Sequence, residues 1–282
     1  MKIIRRIPEL RDALAPARTA GRTIGLVPTM GSFHAGHLSL MGRSRASCDV
    51  TVVTLFVNPT QFNDPRDLAA YPRDEVGDAE LATAEGVDLL FAPTVDEMYP
   101  AGFSTTVSVG AVTEPLEGIA RGAGHFAGVA TVVTKLFNIA QPTVAFFGQK
   151  DAQQALVVKK LVRDLELPVR IEVCPTVREP DGLAMSSRNV RLNPHDRQRA
   201  LALRAGLAAA AAAIRGGERR TNAVERAGRA AMEAQGVQPE YFAAVPADTL
   251  LSGDALRGEV LLAVAARVGD VRLIDNEIVS IA

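Results

Sequence analysis

A chain of 282 residues, 48% hydrophobic and 22% charged, has the make-up of a soluble globular protein with room for two domains. Its 31 Lys and Arg against 32 Asp and Glu leave a net charge of −1, so no basic field draws nucleic acid and any phosphate binding must be local. Two cysteines far apart in sequence give no disulfide framework and point to the reducing cytoplasm, and no apolar run reads as a signal peptide or membrane anchor.

The first strong element is the apolar run 23–27, which predicts a buried strand. It leads into Pro28-Thr29-Met30-Gly31-Ser32-Phe33-His34-Ala35-Gly36-His37, and a helix is expected over 38–46. A strand that turns through Gly31 into a helix aims unpaired backbone N–H groups, and the positive end of the helix dipole, at whatever lies above the turn. Two of the four histidines sit here, three apart, and add donors for the same anion. Two histidines at this spacing also suit zinc, or a helix start with no function, but no third ligand lies nearby in sequence. Gly36 between them lets a ligand approach the backbone, which favours phosphate.

Further strands are expected at 50–57, 87–91, 144–147 and 169–173, alternating with helices over 75–85, 127–139 and 153–165. This order predicts an α/β, Rossmann-like doubly wound parallel sheet whose ligands bind at the loops after the strands. Asn58-Pro59-Thr60-Gln61-Phe62 follows the second strand and offers amides suited to a small hydroxy acid. Gly148-Gln149-Lys150-Asp151-Ala152-Gln153-Gln154 follows the fourth, where either a lysine is placed to meet a phosphate and an aspartate to meet ribose hydroxyls, or Lys150 and Asp151 form a solvated charge pair. After the fifth comes Thr176-Val177, a Pro180-Asp181-Gly182 turn, and Met185-Ser186-Ser187-Arg188-Asn189, whose hydroxyls and guanidinium suit polyphosphate or else a helix cap with a surface arginine.

Composition shifts after Thr176. An alanine-rich helix is expected over 196–213, closed by Gly216-Gly217, then a helix over 221–234 and a strand starting at 239. Two more strands, 260–265 and 271–274, are joined by a Gly269-Asp270 turn. The expected division is therefore a sheet domain over 1–176, binding ATP and substrate, and a small C-terminal α+β domain over 177–282 acting as a lid. No Ser–His–acid arrangement or paired carboxylate stands out, so the chemistry reads as electrostatic: holding a triphosphate and stabilising charge at the α-phosphate.

The His34-x-Gly36-His37 element is shared with class I aminoacyl-tRNA synthetases and other nucleotidyltransferases. Joined in order to Phe56-Val57-Asn58-Pro59-Thr60-Gln61-Phe62, Tyr71-Pro72-Arg73, Gly124-His125-Phe126, Lys150-Asp151-x-Gln153-Gln154 and Met185-Ser186-Ser187-Arg188-Asn189, it resembles the pantothenate synthetase family along essentially the whole chain. The resemblance implies an ATP-dependent ligase that joins (R)-pantoate and β-alanine through a pantoyl adenylate, releasing AMP and pyrophosphate, in the route to coenzyme A. It also implies a cytoplasmic homodimer without nucleic-acid or membrane partners. By resemblance His37, His34, Lys150 and Arg188 are catalytic. ATP is assigned to Met30, Gly31, His34, His37, Gly148, Gln149, Lys150, Asp151, Val177, Met185, Ser186, Ser187 and Arg188. Pantoate falls to Gln61, Gln154 and Asn58, with Gln61 bordering β-alanine, and His125 either lines the pantoate pocket or is a buried structural residue. A Mg²⁺ is expected on the phosphates, with Asp78 the implied protein contact. Gln149 and Ala152 stand where the family commonly has Glu and Tyr, and Gly77-Asp78 where an acidic pair is usual, and these departures bear on the metal contact.

Overall fold

The computed structural model describes residues 1–281, the side chain of Ala123 aside. The chain divides into two compact units, Met1–Gly148 with Gln153–Pro175, and Gln149–Ala152 with Thr176–Ala282. In chain order the first unit contains β1 (Lys2–Ile4), α1 (Ile7–Thr19), β2 (Ile24–Thr29), α2 (Ala35–Ser47), β3 (Val50–Leu55), α3 (Pro65–Ala70), α4 (Glu75–Ala84) and β4 (Leu89–Phe91). It continues with α5 (Val95–Met98), α6 (Glu117–Arg121), α7 (Ala123–Ala140), β5 (Val144–Gly148), α8 (Ala152–Asp164) and β6 (Arg170–Cys174).

All pairings of the first sheet are parallel, in the order β1-β4-β3-β2-β5-β6. The central strands β2, β3 and β5 are largely apolar and buried because their successive residues face opposite covered layers. Leu26, Val52 and Ala145 pack with Leu10, Leu14, Val133 and Leu161 of α1, α7 and α8, whereas Val27, Val53 and Phe146 pack with Leu40, Met41 and Ala82 of α2 and α4. Helices thus cover both faces of the sheet. From β2 the chain winds outward through β3 to β4, then returns to place β5 on the other side of β2. That reversal makes the carboxyl ends of β2 and β5 the switch point, where open α/β sheets bind ligands.

The second unit contains α9 (Pro194–Ala200), α10 (Ala202–Arg215), α11 (Thr221–Glu233), β7 (Pro239–Pro246), β8 (Glu259–Val268) and β9 (Val271–Ser280), the strands forming one antiparallel sheet. Two glycines permit its close packing: a Cβ on Gly228 would lie 2.2 Å from Cζ of Phe242, and one on Gly206 would lie 2.7 Å from Cγ of Met232.

Several boundaries differ from the sequence reading. β1 and α1 were not expected; β1 is only three residues long, too short for a periodic signal, and exists by pairing with β4. The alanine-rich helix is two helices meeting at Leu201. The last strand continues past residue 274 to Ser280, because its ladder with β8 carries through two polar residues, Asp275 and Asn276, that interrupt the apolar pattern.

Candidate active site

The turn after β2 is fixed by backbone geometry and by a partner distant in sequence. Gly31 has φ +89, and a Cβ there would meet Leu55 Cδ1 at 2.6 Å and Asp78 Oδ2 at 2.8 Å, so only glycine fits. Ser32 also lies in the left-handed region, with φ 55. Asp78, buried on the first turn of α4, accepts hydrogen bonds from the N–H groups of Ser32 (2.7 Å) and Phe33 (2.6 Å). Burial pushes its carboxyl above the usual range, opposed by those two amides. Each oxygen accepts one of these amides, so the carboxylate holds the turn in shape.

His34 is the N-cap of α2, where Nδ1 accepts from the N–H of Gly36 at 3.1 Å. His37, three residues on, accepts from the N–H of His34 through its own Nδ1 at 3.4 Å, closing a reciprocal capping box made of two imidazoles. The ring centroids lie 4.2 Å apart. A backbone N–H can only donate, so Nδ1 is unprotonated in both rings and the neutral tautomer carries its proton on Nε2. The sequence thereby turns two histidines into two Nε2–H donors at a helix N-terminus.

Asn58, expected to touch substrate, is instead buried and fully engaged. Its Oδ1 accepts from Tyr99 Oη (2.9 Å) and from the hydroxyl and N–H of Thr60 (3.0 and 3.4 Å). Its Nδ2 donates to Gln61 Oε1 (3.0 Å) and to the carbonyl of Gly128 (3.2 Å). Asn58 therefore orients Gln61, whose Nε2 points at Met30 Sδ, 3.0 Å away. His125 donates from Nδ1 to the carbonyl of Gln61 at 2.8 Å, so its neutral tautomer is the opposite of that of His34 and His37. Its structural role is thus the fixing of the 58–61 loop. α7 approaches that loop over Gly128, where a Cβ would lie 2.5 Å from the carbonyl oxygen of Thr60.

The adjacent glutamines on α8 separate clearly. Gln153 is buried: Oε1 accepts from Glu117 N–H (3.0 Å), and Nε2 donates to the carbonyls of Val112 and Pro115 (both 2.8 Å). Gln154 is half-buried, with no side-chain hydrogen bond among the described residues. Gly148 ends β5, and a Cβ there would meet no atom within 4 Å.

The remaining expected residues belong to the second unit. Gln149, Lys150 and Asp151 form a single 3₁₀ turn in which Lys150 Nζ lies 3.4 Å from Asp151 Oδ1. The segment 177–188 is held by Met185 N–H donating to the carbonyl of Val177 (3.0 Å) and by an Arg178–Ala184 bridge. Ser186 Oγ accepts from the N–H of Arg188 at 3.2 Å, and Ser187 and Arg188 are half-buried. Beneath the loop, Glu179 accepts from Asn189 Nδ2 (2.8 Å) and Arg197 (2.7 Å), and Arg197 also reaches Asp181 (2.7 Å). The Arg197 guanidinium holds the Glu179 carboxyl below the usual carboxylate range.

Sequence reasoning missed Tyr99, Asp275 and Asn276. Tyr99 carries no motif. Asp275 and Asn276 have a signal in retrospect, two adjacent polar residues inside an apolar strand that are 4% and 5% exposed; buried polar groups of that kind have partners to hold.

Comparisons with known proteins show the family. Residues 2–278 match the family described as pantoate-beta-alanine ligase. A pantothenate synthetase of Roseiflexus castenholzii is 52% identical over 277 residues, 98% of each chain. The crystal structure of pantothenate synthetase from Thermus thermophilus superposes with a TM-score of 0.92 at 45% identity, covering 98% of this chain and 99% of that one. A pantoate-beta-alanine ligase from Francisella tularensis, solved with beta-gamma ATP and beta-alanine, matches with a TM-score of 0.78 at 33% identity, over 98% and 97%.

Proposed function

The chain belongs to the pantoate–β-alanine ligase family, and from that premise we propose that it makes pantothenate from pantoate, β-alanine and ATP in two half-reactions. A carboxylate oxygen of pantoate attacks the α-phosphorus of ATP, forming pantoyl adenylate as the bond to pyrophosphate breaks. The amine of β-alanine then attacks the acyl carbon, loses a proton, and expels AMP. The observation that carries this reading is the reciprocal capping of His34 and His37, which puts both imidazoles at a helix N-terminus beside the sheet's switch point.

In this reading the two histidines meet phosphate oxygens, and His37 supplies a proton to the departing pyrophosphate. Lys150, Ser186, Ser187 and Arg188 offset the triphosphate charge. Met30, Gly31, Gly148, Gln149, Asp151, Val177 and Met185 bind the remainder of the nucleotide. Gln61, aimed by Asn58, grips pantoate and borders β-alanine, and Gln154 supplies a second amide to pantoate.

Magnesium enters as part of the ATP complex. Among the described residues no group of three or more His, Cys, Asp or Glu side chains is arranged to hold a metal ion. Asp78 is bonded to two backbone amides. A magnesium ion that keeps most of its waters and binds phosphate needs few protein ligands.

The test is pyrophosphate release from ATP with and without pantoate, followed by addition of β-alanine. Release should require pantoate, and β-alanine should convert the adenylate to pantothenate and AMP. Release indifferent to pantoate would refute the assignment.

A further inference from the structure

Lys150 sits on a turn of three residues, its ammonium 3.4 Å from the carboxylate of the half-exposed Asp151. The backbone of that turn is anchored from a strand more than 120 residues away: Asn276 Nδ2 donates to the carbonyls of Gln149 (3.0 Å) and Lys150 (2.8 Å), 127 and 126 residues earlier in the chain. Its Oδ1 accepts from Gln149 Nε2 at 3.0 Å. Asn276 is 5% exposed, so these bonds have no water to replace them. The preceding residue, Asp275, accepts the N–H of Asn276 at 2.8 Å and binds both terminal nitrogens of Arg178, at 2.6 and 3.0 Å. One strand of the second unit thus holds the lysine turn and the start of the 177–188 segment through adjacent side chains.

We propose that Asn276 is a positioning residue that fixes the Lys150 ammonium for adenylate formation, with Asp275 fixing Asn276. The proposal rests on the reading of Lys150 as a phosphate-binding group. Only an amide serves at 276: it donates twice and accepts once. An aspartate of the same shape can only accept, and would set a negative charge against two carbonyl oxygens. An alanine leaves both carbonyls and the Gln149 amide without their partner.

The test is a double-mutant cycle with N276D and K150A in the full-length enzyme, read by pantoate-dependent pyrophosphate release and by calorimetric ATP affinity. N276D should slow release by on the order of tenfold or more, with the KM for pantoate within about twofold of wild type. K150A alone should cost on the order of a hundredfold, and N276D should add less than about twofold to K150A, because the asparagine acts through a lysine that is no longer there. N276S, whose hydroxyl can donate once, should fall between wild type and N276D, and it carries the same cycle if N276D does not fold. If K150A costs its full factor in either background, Asn276 acts on the fold and the proposal is wrong. Wild-type rate and ATP affinity in N276D would also overturn it. If wild-type enzyme releases no pyrophosphate with pantoate, the functional reading fails separately, and the cycle is scored on ATP affinity alone.

Discussion

His34 and His37 hold each other's positions: the N–H of His34 donates to His37 Nδ1, while His34 Nδ1 caps the same helix turn through Gly36, and the two rings stand 4.2 Å apart. The groups that are to meet phosphate are therefore also the groups that start the helix. Substitution of either should touch stability as well as rate, more than sequence alone suggests.

His34→Ala removes an N-cap acceptor and should cost about 1 kcal/mol of stability together with a large loss of adenylation rate. His34→Asn restores a capping acceptor without the Nε2–H donor at its position. Denaturant unfolding should return toward wild type for the asparagine variant, while pyrophosphate release stays low. A full recovery of activity in His34→Asn would mean that the imidazole serves only as a cap.

Asp78→Asn leaves one acceptor oxygen for two amide donors, the N–H groups of Ser32 and Phe33. Loss of one bond at a buried site should destabilise by about 1–3 kcal/mol, and the loosened turn should raise the KM for ATP more than that for β-alanine. Equal effects on all three substrates would show that Asp78 supports the sheet unit generally. Gly31→Ala should be at least as damaging, since its φ is +89 and its Cβ would collide with Leu55 and Asp78.

The two glutamines of α8 give a sharper contrast. Gln153→Ala orphans the carbonyl of Val112 and the N–H of Glu117 at buried contacts and removes one of the two donors to the Pro115 carbonyl, and should lower the melting temperature by several degrees. Gln154→Ala should leave the melting temperature alone and weaken pantoate by roughly ten- to hundredfold, with ATP little changed. Thermal melts and separate KM values for the two variants decide the matter; exchanged behaviour would reverse the roles.

Tyr99→Phe deletes the hydroxyl that donates to Asn58 Oδ1. Asn58 retains its bonds to Thr60 and Gly128, so the loss should be modest, about 1 kcal/mol. It should appear as a several-fold rise in the KM for pantoate, because Asn58 aims Gln61. An unchanged KM would mean that Thr60 and Gly128 suffice to fix the loop.

Glu179 titrates in the direction expected of a paired carboxylate. Its pKa in the folded protein is lowered from 4.5, first by the hydrogen bond from Arg197. A lowered folded value means that its stabilising contribution is complete above about pH 4.5 and is lost as pH falls through that lower value. Wild type should therefore exceed Glu179→Gln in melting temperature at neutral pH, and the gap should close in acid. A gap that widens below that pH would put the sign, and the Arg197 pairing, in error.

Much of this was legible without coordinates because it is written in short spans. Apolar runs bounded by glycine and polar turns specify parallel strands, and Gly31, His34, Gly36 and His37 lie within seven residues, so one strand–turn–helix brings them together. The roles of individual polar residues were less legible. Asn58 and Gln61 share a loop, yet which of them faces a ligand depends on Tyr99, Thr60 and Gly128 filling the hydrogen-bonding capacity of Asn58. Asp78 holds two amides 45 and 46 residues away, a contact that no local pattern shows. Asn276 reaches Lys150 across 126 residues. Local periodicity encodes which face of an element is apolar, and that fixed the sheet. The satisfaction of a buried polar group depends on whichever chain segment the topology delivers beside it, and only the tertiary structure decided that.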